Sequence, residues 1–339
     1  MAEGSPSPVT PPPVFPPGAR VDLRPLTTSE LIDRSFALYK AHFAGFLLLA
    51  LLCQSAPLLQ QIILTTFKIN PWQMENWDSP ETASWRMAAV LVIGFVTLLI
   101  VFCFDVVITF YIADAYLGKI PSVKASLRKF KKCVLGAIWT CIVNWILVGA
   151  TAIFPCLAAG AIYIYGQLYP PHSLGPLALM GLASVLLILA SIAPALVVFM
   201  RLMVTIPSLA LEGLSGWKAV KRSSALVRFD PGLGILYWGE MRLSFLLLPL
   251  FIIELLILSL TSLPLTLHQL SEIMRHGAGG QIAPPSDSVM IISQILTFLA
   301  GSLILPLYTI AITLFYYDIR IRREGFDLEF MAGQLEARK

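Results

Sequence analysis

Residues 243–263 read LSFLLLPLFIIELLILSLTSL, which is 21 residues with one acid, no base and one proline. An α-helix needs about 20 mostly apolar residues to cross the hydrocarbon core of a bilayer. Five further stretches have the same character, at roughly 44–66, 87–112, 135–163, 177–200 and 290–315. The rest of the chain agrees with them. Of 339 residues, 57% are hydrophobic and 13% are charged, about half the charged share of a soluble domain. The mean hydropathy is +0.78. These values exclude a disordered chain, a disulfide-stapled secreted module and a typical soluble enzyme. In water the six stretches would expose large apolar patches, because none has a polar face. The expected fold is all-α: a polytopic membrane bundle of six transmembrane helices, arranged as three hairpins.

Lysine and arginine placement orients the bundle. Nineteen of the 24 basic residues fall in segments on one side of the six spans, and only Lys68, Arg86 and Arg275 fall in the opposite loops. Arg201 and Arg242 lie in or beside spans. The split places both termini in the cytoplasm, and Trp72, Trp77 and Trp85 suit an outer interfacial belt. Seven prolines and no apolar core occupy residues 1–20. That stretch is not a signal peptide. We read 1–21 as a disordered tail, more a tether than an SH3-type ligand. The membrane domain covers 22–317, and 318–339 forms a charged cytoplasmic tail.

A short amphipathic segment precedes each hairpin. The first opens on a capping box, Thr27-Thr28-Ser29-Glu30, and places Ile32, Phe36, Tyr39 and Phe43 on one face. The second carries Val123, Leu127, Phe130 and Val134, and the third Trp217, Val220 and Val227. Arg34, Arg128 and Arg222 recur every 94 residues, as do Leu117 and Leu211, and Pro155 and Pro249. We therefore read three repeat units, about 27–119, 120–213 and 214–317, with a turn of slack in register. Each is an interfacial helix followed by two spans. The interfacial helices are expected to lie along the cytoplasmic surface with their apolar sides in the acyl boundary. Segment 119–132 has six bases and no acid. Near an anionic leaflet each base is worth about 1 kcal/mol. The expected contacts with anionic phospholipid headgroups are Lys124, Arg128, Lys129, Lys131, Lys132, Lys218, Lys221 and Arg222. The same bases also serve as plain topology anchors.

Charges at membrane depth each need a reason, since one costs about 2.5–3.5 kcal/mol on insertion scales. Asp105 and Arg201 fall at matching depths in the second and fourth spans, so a pair between them is expected. Glu254 sits in the opening stretch with no base beside it in sequence. It is either a neutral acid bonded to a neighbouring span or a group facing a wet cavity. Asp105, Arg201 and Glu254 form the candidate intramembrane polar site. Asp114, Glu240 and Arg242 lie near the cytoplasmic boundary and can snorkel. Prolines interrupt the spans at 57, 155, 194, 207, 249 and 306. Broken helices of this kind line transport sites and also occur in inert bundles.

Catalytic chemistry has little material here. The sequence has no P-loop, GxSxG, HExxH or GxGxxG pattern, and four histidines without a paired acid and base. His268, Glu272 and His276 share a helical face, but a solvated loop helix is the expected reading. The five cysteines form no CxxC pair and read as packing residues. No catalytic residue, metal, cofactor or nucleic-acid partner is expected.

Three stretches carry a resemblance. LRPLTTSELIDRSF at 23–36 precedes the first span, EGLSGWKA at 212–219 with Arg222-Ser223 lies in the middle, and YYDIRIRREGFDL at 316–328 follows the last span. Over about 22–332 the chain resembles bacterial membrane proteins related to the glycerophosphoryl diester phosphodiesterase membrane domain. In that family the membrane part can be fused to a soluble phosphodiesterase domain, whose catalytic His, Arg and metal-binding acids have no counterpart here. The resemblance implies a bacterial inner-membrane protein near lipid or envelope metabolism, without that activity. The functional expectation is a non-enzymatic scaffold or subunit of a membrane-protein partner that contacts anionic lipid. The alternative is a transporter or lipid-translocating protein with a cavity between the hairpins.

Overall fold

The computed structural model describes residues 24–67, 69, 80–168, 174–228, 239–276 and 285–328. The proline-rich stretch 1–21, Trp72, Trp77 and residues 329–339 lie outside them. The described residues form ten α-helices and no strand. In chain order these are α1 (Thr28–Ala41), α2 (Phe43–Thr66), α3 (Pro80–Tyr116), α4 (Val123–Leu168) and α5 (Leu174–Met203). There follow α6 (Thr205–Glu212), α7 (Trp217–Val227), α8 (Gly239–Thr261), α9 (Leu263–His276) and α10 (Asp287–Glu324).

Six stretches are long and apolar enough to cross a membrane: Phe43–Thr66, Ser84–Tyr116, Val123–Thr151, Pro194–Glu212, Gly239–Thr261 and Ser288–Glu324. The chain is an all-α, multi-pass membrane bundle. The expected 177–200 lies within α5, and the apolar stretch continues through a break at Val204 into α6. Pro207 explains the break. It has no N–H to donate and its ring crowds the carbonyl four residues back, at Met203, where α5 ends.

The first and second amphipathic segments behave differently. Thr27 caps α1 as expected, its hydroxyl accepting from Glu30 N at 3.3 Å while Glu30 Oε2 accepts from Thr27 N at 2.8 Å. The Thr27 amide, and then Arg24, hold the Glu30 carboxyl at about 2. His42 (φ −124°, ψ 30°) separates α1 from α2. Segment 123–134, by contrast, is not a separate interfacial helix but the first three turns of α4. No glycine or proline stands between Val123 and Gly136, and Lys, Arg and Leu favour continuation. Over 46 residues α4 is about 69 Å long, more than twice the hydrocarbon thickness.

Burial divides the expected stripes between the protein interior and the exterior. On α1 the buried residues are Leu31, Ser35 and Tyr39, while Phe36, and Phe43 at the start of α2, are exposed. Periodicity missed the inner face because Ser35 is polar. Its hydroxyl donates to Leu31 O at 2.7 Å, which makes it acceptable in the core. On α7, Val220 and Val227 are buried and Trp217 is exposed. The inner faces of α1 and α7 therefore pack on protein.

The long helices form a closed ring, α2–α3–α4–α5–α8–α10, with α10 also touching α1, α3, α6, α7 and α9. The core is concentrated at the end where α2, α4 and α8 begin and α3 and α10 finish. Leu26, Phe46, Ile108, Ile112, Leu243, Leu246, Ile310, Phe315 and Tyr316 are fully buried there. Leu117 and Leu211, 94 residues apart, both pack on this core. The opposite halves of α3, α5 and α8 present leucine, valine and isoleucine outward, as helices surrounded by lipid do. We call the packed end the basic end, since the cationic segments gather there.

His42 lies at this end, edge-on to Tyr111 at 6.5 Å. Burial lowers its imidazole below the ordinary 6.5. The unfolded chain then takes up a proton before the folded one does, so folded stability declines as pH falls through 6.5. We expect the unfolding midpoint in detergent to drop between pH 7 and 5, and His42→Phe to flatten that slope. An unchanged slope in the variant would exclude His42 as its source.

Candidate functional site

Two polar assemblies stand out, one at the basic end and one at membrane depth. The first joins the stretches at 23–36, 212–223 and 316–328 quoted above. Asp318 on α10, with no exposed side-chain surface, accepts from Arg242 Nη2 on α8 at 2.8 Å, from Arg322 Nε at 2.9 Å and from Leu26 N at 2.7 Å. Leu26 O in turn accepts from Arg322 Nη2 at 2.6 Å and Arg242 Nη2 at 3.2 Å. One carboxylate thus clamps the segment before α1 to the start of α8 and the last turns of α10. Nearby, Arg222 on α7 bridges Glu212 on α6 (2.8 Å) and Glu324 on α10 (2.6 Å). Tyr316 donates to Glu212 at 2.7 Å, and Arg320 stacks over Phe326 at 4.4 Å. Hydrogen bonding to Glu324, and then to Glu212, raises the Arg222 guanidinium above its already high value. Arg323 donates to the Ala225 and Arg228 carbonyls, closing the exit of α7.

Lys129 and Arg222 are the two expected lipid contacts with internal partners. Lys129 Nζ meets Asp114 Oδ2 at 2.6 Å, and Arg222 lies in the bridge just described. Lys124, Arg128, Lys131, Lys132, Lys218 and Lys221 are exposed and pair with no acid among the described residues. Arg128 and Arg222 occupy equivalent places in the 94-residue spacing, yet one is bare and the other bridged.

The expected Asp105–Arg201 pair does not form. Arg201 Nε instead meets Glu240 Oε1 at 2.7 Å. The reason is topological: Arg201 lies on α5, which packs on α4, α7 and α8, whereas α3 meets the fourth span at α6. Asp105 Oδ1 is buried without a hydrogen-bond partner. Asp114, Glu240 and Arg242, read as snorkelling groups, are all in ion pairs. Asp318, Glu212 and Glu324 lie in the quoted stretches, and the sequence reading assigned them no role. The signal was present in their acid–base spacing on one helix, Asp318 to Arg322 and Arg320 to Glu324, both i,i+4.

The second assembly contains Glu254. A crevice of about 410 Å³ lies between α2, α8 and α10, and Gln54, Glu254, Thr261, Thr297, Gly301 and Tyr308 contribute to its wall. Tyr308 OH donates to Glu254 Oε2 at 2.7 Å. Glu254 and Leu258 are exposed, so the mouth opens on the lipid side of the bundle. Of the expected intramembrane trio only Glu254 lines this space. Away from it, Glu272 on α9 is paired with Arg275 at 3.2 Å.

Fold and site together define a multi-pass α-helical membrane protein with an ion-paired, basic end. No family model, curated protein or solved structure matches the chain.

Proposed function

We propose that the chain is a non-enzymatic bacterial inner-membrane protein, both termini cytoplasmic, that holds anionic phospholipid headgroups at its basic end and serves as a scaffold or partner subunit. The observation that carries this is the division of charge at that end. The acids Glu212, Glu240, Asp318 and Glu324 are engaged in internal pairs. Six exposed bases, with Trp217 at 60% exposure beside Lys218, remain turned outward. Such a surface gains about 1 kcal/mol per base near an anionic leaflet, and a tryptophan suits the headgroup level. We also propose, on the three quoted stretches alone, kinship with the glycerophosphoryl diester phosphodiesterase membrane domain, as a membrane part without the hydrolase.

The test replaces Lys124, Arg128, Lys131, Lys132, Lys218 and Lys221 with glutamine, leaving the paired Lys129 and Arg222 intact. We expect phosphatidylglycerol retained through purification from mixed phosphatidylglycerol and phosphatidylcholine to fall at least fivefold. Equal retention would overturn the headgroup assignment. A second reading, transport or lipid translocation, is favoured by one observation only, the crevice at Glu254.

A further inference from the structure

We propose that the crevice between α2, α8 and α10 is a binding site for the protonated amine head of a membrane amphiphile, with Glu254 as its counter-ion. This concerns binding alone and goes beyond both functional readings, since it requires neither the basic end nor a transport step.

Hydrogen-bond capacity carries the argument. The Tyr308 hydroxyl proton is engaged by Glu254 at 2.7 Å. Thr261 donates to Leu258 O at 3.1 Å and Thr297 to Ser293 O at 2.9 Å, so both hydroxyl protons are used on their own helices. What these three hydroxyls and the carboxylate leave toward the crevice is acceptor capacity, because an ionised carboxylate accepts about four bonds and Glu254 receives one. Pro57 and Pro306 add to this. Each removes the donor for the carbonyl four residues back, at Cys53 and Ser302, and these residues adjoin the lining residues Gln54 and Gly301. Gln54 is the one lining side chain with amide donors of its own.

Charge points the same way. Among the described residues no lysine, arginine or histidine lines the crevice, and Glu254 has no cation beside it there. An unneutralised carboxylate at this depth is costly. An ammonium supplies one positive charge and three donors with no acceptor, the complement of the wall described. Calcium or magnesium takes six or more oxygen ligands, commonly with several carboxylates, and among the described lining residues one carboxylate is present. The mouth and the apolar lining, with Ile257, Leu258, Ile304 and Leu305, suit an alkyl chain extending into the bilayer. A volume of about 410 Å³ fits a headgroup and its first carbons.

The probe is radiolabelled dodecylamine on the full chain in phosphatidylcholine nanodiscs, with dodecanol as the uncharged competitor of equal length. We expect saturable binding, displaced at least tenfold better by unlabelled dodecylamine than by dodecanol. Glu254→Gln should weaken it at least tenfold. Tyr308→Phe should stay within threefold of wild type, since it removes a donor and leaves the counter-ion. A second readout uses the wild-type protein alone: dodecylamine, and not dodecanol, should slow labelling of Glu254 by dicyclohexylcarbodiimide. The proposal is overturned if wild type shows no saturable binding, if dodecanol competes equally, if Glu254→Gln binds as wild type does, or if dodecylamine gives no protection.

Discussion

Asp318→Asn lowers the stability of this protein by about 3–5 kcal/mol, the range for removing one partner of a buried ion pair. Asp318 has no exposed side-chain surface and Arg242 only 13%, so the arginine left behind has little access to water. The substitution also replaces an acceptor-only group with one that carries two donors. Those donors would face Leu26 N and two guanidinium groups, which all need acceptors. Thermal unfolding in detergent should show the midpoint falling by about 10 °C. The double variant Asp318→Leu/Arg242→Leu should recover most of that loss, because apolar groups of similar volume replace a buried pair at little cost. Arg322, at 38% exposure, can turn to solvent. If the single variant unfolds at the wild-type temperature, the clamp on the segment before α1 is not a stabilising element.

Gly216→Ala gives the second large loss, about 2–5 kcal/mol, from two separable causes. Gly216 precedes α7 with φ 56° and ψ −130°, a backbone state that side chains oppose. An added Cβ would also lie 2.1 Å from the Trp139 ring. The close approach is built in by Gly216 N donating to Thr140 Oγ1 at 2.7 Å, which seats the start of α7 on α4. Trp139→Ala in the Gly216→Ala background removes the overlap and leaves the backbone strain. We expect the double variant to recover about half of the lost midpoint, and full recovery would mean that the backbone conformation carries no strain.

The bundle and its basic rim were largely legible from residue order, and particular residues show why the rest was not. LSFLLLPLFIIELLILSLTSL can only be a span, and it forms α8 over Gly239–Thr261. The Thr27–Glu30 cap lies within four residues, so local chemistry suffices for it. Asp105 and Arg201 were matched by depth alone, and depth does not say which helices touch. Arg201 meets Glu240 because α5 lies beside α8. The Ser35 face of α1 was hidden because a serine that bonds its own helix behaves as an apolar residue. Glu254 stood out in sequence as an isolated acid, but its tyrosine partner 54 residues away did not.

Residue order alone settles the helical, membrane-crossing character of this chain and the clustering of its cations, because hydrophobic run length and charge are local properties read against a slab of known thickness. Packing decides which acid meets which base, why the basic end is tight while the other half opens on a crevice, and where the amphipathic segments turn their faces. Those outcomes depend on contacts between residues as far apart as Leu26 and Arg322, and no local pattern encodes a distance across a bundle.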